Sequence, residues 1–183
     1  MSTRIARALL AAAALLTAPA TANAADAADC PGALDEPSQA TIPATADTVT
    51  CLVNAERTRR GMRAVRRDGD LGQAARRLAH DMVRRNYFAH VTPGGSTLGD
   101  RLRDAGYGSG QSWRAGEALG WGTGGRATPN ALVDEWLASP PHRRILLDPG
   151  YRELGVGIAP GAPQDAASDA GGATYTLDFA VIK

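Results

Sequence analysis

The side chains in this sequence best suited to move protons or hold a metal are few and widely spaced. Of its three histidines, two stand outside any core-like pattern. His90 closes the run Asn86-Tyr87-Phe88-Ala89-His90 and is followed at once by the turn Thr92-Pro93-Gly94-Gly95. His142 follows Ser139-Pro140-Pro141 and precedes Arg143-Arg144. Between them Glu117 stands alone among small residues, from Ala115 to Gly120. Gathered in one cleft, two neutral imidazoles and a carboxylate make a three-ligand set for Zn²⁺ with a fourth position open to water. Without metal, a His–Glu pair could orient a general base. Local spacing does not force the convergence, because neither histidine has a second ligand at a helical metal-site interval.

The bland reading of the trio is structural. A buried His and Glu that bond each other tie helices to a sheet, since an unpaired buried polar group is costly. His80 falls among arginines, opposite an apolar stripe, and reads as an exposed helix residue. A nucleophile is hard to find. No G-x-S-x-G elbow, H-E-x-x-H helix or phosphate-binding loop occurs. Ser139 sits on a Pro-Pro corner with no defined bond to His142, and Ser109 between glycines reads as a turn.

The first residues read as a secretory leader spanning 1–24. Arg4 and Arg7 supply the positive end, Ala8 to Leu16 the short apolar run, and Ala22-Asn23-Ala24 the cleavage pattern. The apolar run is too short to span a bilayer, so a secreted chain without a transmembrane segment is expected. Cys30 and Cys51 are the only cysteines, and in an oxidising compartment such a pair most simply forms one disulfide. Closing that loop would stabilise by about 3 kcal/mol.

Charge is balanced overall, with 20 basic against 19 acidic side chains, but unevenly spread. Residues 25–44 form an acidic Pro/Ala-rich arm, and arginines crowd residues 52–104, among them Arg76, Arg77, Arg84, Arg85, Arg101 and Arg103. That basic face could meet an anionic envelope polymer or lipid head group. It is also what a solvated helical face looks like. No aromatic residues interleave with the arginines, so nucleic acid is not an expected partner.

Residues 45–183 are enough for one core of ordinary size. A first helix starts near Thr45 or Asp47, carries Val49, Leu52 and Val53, and stops at Gly61. A second starts at Asp70 and repeats Leu71, Ala74, Ala75, Leu78 and Met82 at helical spacing, its alanines implying a close neighbour. A third covers about 97–105, and a fourth covers about 130–138 until Pro140-Pro141 forbids continuation. Strands are expected over 111–119, 154–158 and 174–182, with Tyr175, Leu177, Phe179 and Val181 on one face of the last. Gly120–Gly125 and Gly161–Gly172 read as loops. Helices first and strands last favour an α+β fold around an antiparallel sheet.

Ordered along the chain, these pieces resemble the bacterial secreted branch of the CAP superfamily, the SCP or pathogenesis-related-1-like domain. Asn54-Ala55-Glu56-Arg57 with Gly61 looks like its opening helix, and Asp70-Leu71 through Asp81-Met82 like its second. Phe88-Ala89-His90 with Pro93-Gly94-Gly95 is similar to its F-S-H-x-x-P-x-G turn, and Arg101 with Ala105-Gly106-Tyr107 to its third helix. Gly116-Glu117 matches its G-E-N strand, Trp136 with Ser139-Pro140 and His142-Arg143 its W-x-x-S-P-G-H-R segment, and Gly155-Val156-Gly157 the next strand. The resemblance implies a three-layer α-β-α sandwich with a central antiparallel sheet, and a cleft lined by His90, Glu117 and His142. Eukaryotic members place a second glutamate where this chain has Ser139; Glu135, four residues earlier, would reach the cleft edge from the same helix face. Two family asparagines are replaced, by Ala118 and Ile145, which strips polar groups from the cleft.

The expectation is a secreted, monomeric, non-catalytic module whose cleft takes a divalent metal such as Zn²⁺, a lipid or another cell-envelope ligand. The alternative is a secreted hydrolase, a protease or a cell-wall-acting enzyme, using the same cleft.

Overall fold

A computed structural model describes residues 29–163 and 171–183. The expected leader lies outside the described residues, as do positions 164–170 of the loop expected over Gly161–Gly172. The elements in chain order are α1 (Ile42–Arg59), β1 (Arg66–Arg67), α2 (Gly69–Arg85), α3 (Leu98–Ala105), β2 (Trp113–Thr123), a 3₁₀ turn (Gly124–Ala127), α4 (Pro129–Ala138), α5 (Pro140–Leu146), β3 (Glu153–Pro160) and β4 (Gly172–Ile182). The strands form one open sheet ordered β1-β3-β4-β2. β3–β4 and β4–β2 pair antiparallel, and the two-residue β1, unexpected from the sequence, joins β3 in parallel. This is the α+β, three-layer arrangement: α1, α4 and α5 cover one face of the sheet and α2 with α3 the other.

Register assigns each face its residues, because side chains alternate along a strand and cross-strand partners point the same way. Leu154, Val156 and Ile158 stand beside Phe179, Leu177 and Tyr175. These six are at most 2% exposed and form one apolar core with Val49, Leu52, Val53, Leu132 and Trp136. On the opposite face Gly155 and Gly157 stand beside Asp178 and Thr176, which in turn face Glu117 and Leu119. A Cβ on Gly155 would overlap the backbone of Leu71 and Gly72, and one on Gly157 the backbone of Ala75. The glycines and the alanines of α2 therefore answer each other, letting helix and sheet touch backbone to backbone.

Several boundaries move, each for a local reason. α1 begins at Ile42 because Pro43 suits the first helical turn. Three residues assigned by sequence to the acidic arm thus belong to the helix. The N-cap of α2 is Asp68, not Asp70: its carboxylate accepts from the amides of Asp70 and Leu71 at 3.0 Å each. β2 runs on to Thr123, through glycines that by sequence suggest a loop; Gly120 lies against Leu132 and Trp136, where a larger residue would not fit. Pro140-Pro141 ends α4 but also opens α5, Pro being well suited to a first turn.

Cys30 and Cys51 are bonded to each other, pinning the arm to α1. The Thr48 hydroxyl donates to the Pro31 carbonyl at 2.6 Å, and the Asn130 amide to the Ala33 carbonyl at 2.9 Å. The two charged residues of the Asn54-Ala55-Glu56-Arg57 stretch both have structural partners. Glu56 pairs with Arg59 and Arg60. Arg57, fully buried, donates to the carbonyls of Arg63, Leu146, Asp148 and Tyr151. It thereby fixes the end of α5, the helix that carries His142.

Candidate functional site: a cluster centred on Glu117

Three separate segments bring the candidate side chains together. α2 ends at Asn86, which takes a left-handed conformation (φ 52°) and turns the chain away. Tyr87 and Phe88 then pack against Leu78, Met82 and Leu119, and the Tyr87 hydroxyl donates to Asp81 at 2.7 Å. His90 follows in the loop. The turn after it is closed by backbone bonds between Thr92 and Ser96 and between Gly95 and Thr92, at 3.0 and 2.8 Å. Thr97 caps α3 in a reciprocal box with Asp100.

Glu117 is the centre of the cluster. It is 5% exposed. Its Oε1 lies 2.7 Å from His90 Nδ1, and its Oε2 accepts from Arg101 at 2.6 Å. Arg101, on α3, also donates to the carbonyls of His90 and Ser96, at 3.0 and 3.1 Å. One guanidinium thus holds both the carboxylate and the loop that carries the imidazole. By sequence Arg101 matches only a family helix. Its role emerges once that helix is set against β2.

Asp178 is a member of the cluster that sequence reasoning does not single out. It sits opposite Glu117 on β4, is fully buried, and neither carboxylate oxygen has a donor among the described residues. Burial first, then the charge of Glu117, pushes its carboxyl well above the ordinary carboxylate range, with Arg101 opposing. Both causes favour the protonated acid, and a protonated carboxyl can donate to Glu117 where a carboxylate cannot. A clue lies in the sequence: Asp178 is the single acid in a strand whose other face is wholly apolar.

His142, the third residue of α5, is half-buried. Burial lowers its pKa first and the His90 charge lowers it further, against a smaller upward pull from Glu135. His142 comes from α5, in the layer opposite the one that carries the His90 loop. Glu135 is exposed to solvent yet its charge bears on His142. Ser139 precedes α5 as its N-cap without a side-chain capping bond. His80 is exposed on α2.

Zn²⁺ would fit this cluster only in part. Both oxygens of Glu117 are committed, one to an arginine, so the carboxylate is a poor ligand and a good anchor for the His90 ring. No group of three or more His, Cys, Asp or Glu side chains is arranged to hold a metal among the described residues. Two imidazole nitrogens remain as the protein's donors. No helix among the described residues is long and apolar enough to cross a membrane.

The sequence profile of the cysteine-rich secretory protein (CAP) family matches residues 51–179. The chain is similar to the uncharacterized protein YkwD of Bacillus subtilis, 32% identical over 119 residues that make up 64% of this chain and 44% of that protein. It is also similar to the uncharacterized membrane protein YlbC of the same organism, 33% identical over 107 residues, 58% of this chain and 29% of that one. It therefore spans less than half the length of either relative. Among solved structures, an extracellular SCP-domain protein from Bacillus anthracis matches with a TM-score of 0.60 and 28% identity, over 75% of this chain and 40% of that one. An outer surface protein of Borrelia burgdorferi shares the fold at 18% identity, TM-score 0.59, over 74% of this chain and 90% of that one. Profile, element order and open four-stranded sheet agree, and the chain belongs to the CAP family.

Proposed function

We propose that this chain is a secreted CAP-domain binding module, whose cleft between His90 and His142 takes a small or lipid ligand of the cell envelope without turning it over. The observation that carries this reading is the way Glu117 is held. A carboxylate with one oxygen on His90 and the other on a buried arginine serves to fix the ring. Secretion is supported by the leader-like first residues, by the disulfide, which suits an oxidising compartment, and by the extracellular relative from Bacillus anthracis.

A divalent ion belongs to this proposal as a ligand of the two imidazoles. Both nitrogens would have to be neutral, which the lowered pKa of His142 favours. With Nδ1 of His90 engaged by Glu117, Nε2 would be the nitrogen of that ring left for the ion. Zn²⁺ held there would supply charge to polarise or anchor an anionic ligand group.

The test is calorimetric titration of Zn²⁺ into the mature chain and its variants. His90→Ala and His142→Ala are each expected to abolish binding, and Glu117→Gln to weaken it about 10- to 100-fold through loss of the anchor. Unchanged binding in all three would remove the metal from the proposal. Peptide or cell-wall hydrolysis that disappears in a folded His142→Ala protein would replace the binding module with the hydrolase.

A further inference from the structure

A groove runs along α2 and reaches the His90 loop at Thr92 and Arg101. Its volume is about 560 Å³, and Arg76, Arg77, His80 and Arg84 of α2 line it, with Thr92 and Arg101 opposite. The lining runs from Gln73 to Arg84, about 16 Å of helix at 1.5 Å per residue. Arg76, His80 and Arg84 recur every fourth residue and so stand in one row, about 6 Å apart.

Several other arginines of the basic stretch have carboxylate partners. Arg60 pairs with Glu56, Arg66 with Glu153, Arg67 with Asp47, Arg85 with Asp81, and Arg103 with Asp100. Arg76 and Arg77 have no carboxylate partner among the described residues. The one acid in the lining, Asp81, is shared by Arg84, Arg85 and the Tyr87 hydroxyl. Arg101, 7% exposed, closes one end of the lining and is already committed to Glu117 and to the carbonyls of His90 and Ser96.

We infer that this groove binds the phosphate groups of a linear, base-free polyanion. Unpaired guanidiniums are well matched to phosphate oxygens, and a row of cations along a helix suits a chain carrying repeated charges better than a single ion. The lining contains no Phe, Tyr or Trp ring on which a base could stack. The exposed large apolar side chains of the described residues are only Leu34 and Val91, too few to enter a bilayer. The groove shares Arg101 with the Glu117 cluster, but its cationic row, Arg76, His80 and Arg84, stands on α2 apart from both imidazoles.

Long-chain inorganic polyphosphate is the probe, measured by fluorescence anisotropy with the full mature chain. Binding is expected that weakens steeply with added salt, is far tighter than for orthophosphate, and has no counterpart on phosphatidylglycerol vesicles. Arg76→Ala/Arg77→Ala should weaken it at least tenfold with thermal unfolding unchanged. The control Arg143→Ala/Arg144→Ala removes the same charge from exposed α5 positions and should leave it within about twofold. Equal loss in the two double variants would reduce the effect to net charge and overturn the site. Binding to vesicles with none to polyphosphate would overturn the polymer in favour of a membrane. Zn²⁺ titration of the Arg76/Arg77 variant separates this groove from the imidazole cleft, since metal binding there should persist.

Discussion

The two faces of the central sheet are built on different principles. Towards α1 and α4 the strands present Leu154, Val156, Ile158, Tyr175, Leu177 and Phe179, all at most 2% exposed, and polar groups on that side are bonded. The Tyr175 hydroxyl donates to the Ala127 carbonyl at 2.6 Å and the Trp136 indole to the Leu119 carbonyl at 2.8 Å. Towards α2 the same strands present glycines, threonines and two acids. There Thr176 Oγ1 and both oxygens of Asp178 are buried without a partner among the described residues. The first face supplies stability through apolar area. The second gives up area for close approach and for a polar cluster, and it is the one that holds Glu117. Unsatisfied buried groups collect where function is expected and not where the core is made.

The largest effect should come from the apolar face. Phe179→Ala would leave a cavity under Tyr151, whose ring centroid lies 5.8 Å away, and should cost about 3–5 kcal/mol by urea denaturation. A loss below about 1 kcal/mol would mean that this face is not the principal core. Gly157→Ala tests the other face by addition, since the new methyl meets the Ala75 backbone. Overpacking of this kind costs about 1–3 kcal/mol, and a matching loss of polarity at the site is not expected. If Gly157→Ala proved neutral, the backbone-to-backbone contact with α2 would be refuted.

Asp178→Asn gives the smallest and most diagnostic change. The folded pKa of Asp178 is raised above its unfolded value, so its contribution is complete below about pH 3.9 and declines as pH rises through the folded value. Across that window the native state holds a proton that the unfolded state has lost, so stability falls with pH. Asn cannot ionise and keeps a donor towards Glu117. Relative to wild type, D178N should therefore gain stability progressively above about pH 4. Parallel stability–pH curves for the two proteins would show that Asp178 is not held protonated.

Much of this is legible in the residues. The i, i+3, i+4 alanine and leucine pattern of α2, the alternation of β3 and the apolar face of β4 all report how far apart side chains stand within one element. Cys30 and Cys51 also announce their bond, as the only pair in the chain. Other features resist for identifiable reasons. Pro140-Pro141 is equally a helix end and a helix start, and taking it only as an end hides α5. Arg101 looks like one arginine of a solvated stretch until its guanidinium is placed between Glu117 and the His90 loop. Asp178 escapes because the pattern of its strand speaks for the apolar side alone, and alternation says nothing about what covers the other.

The sequence by itself determined the periodicities, the breaks and the side-chain chemistry, because each depends on neighbours a few residues away. It also sufficed, through ordered motifs, to identify the family. Only the tertiary structure decided which charges meet. Glu117 finds His90 27 residues back and Arg101 16 residues back, and Asp178 lies opposite it from the last strand. Contacts at such separations are set by the packing of layers, and it is packing that made Glu117 an anchor for a ring instead of a free carboxylate.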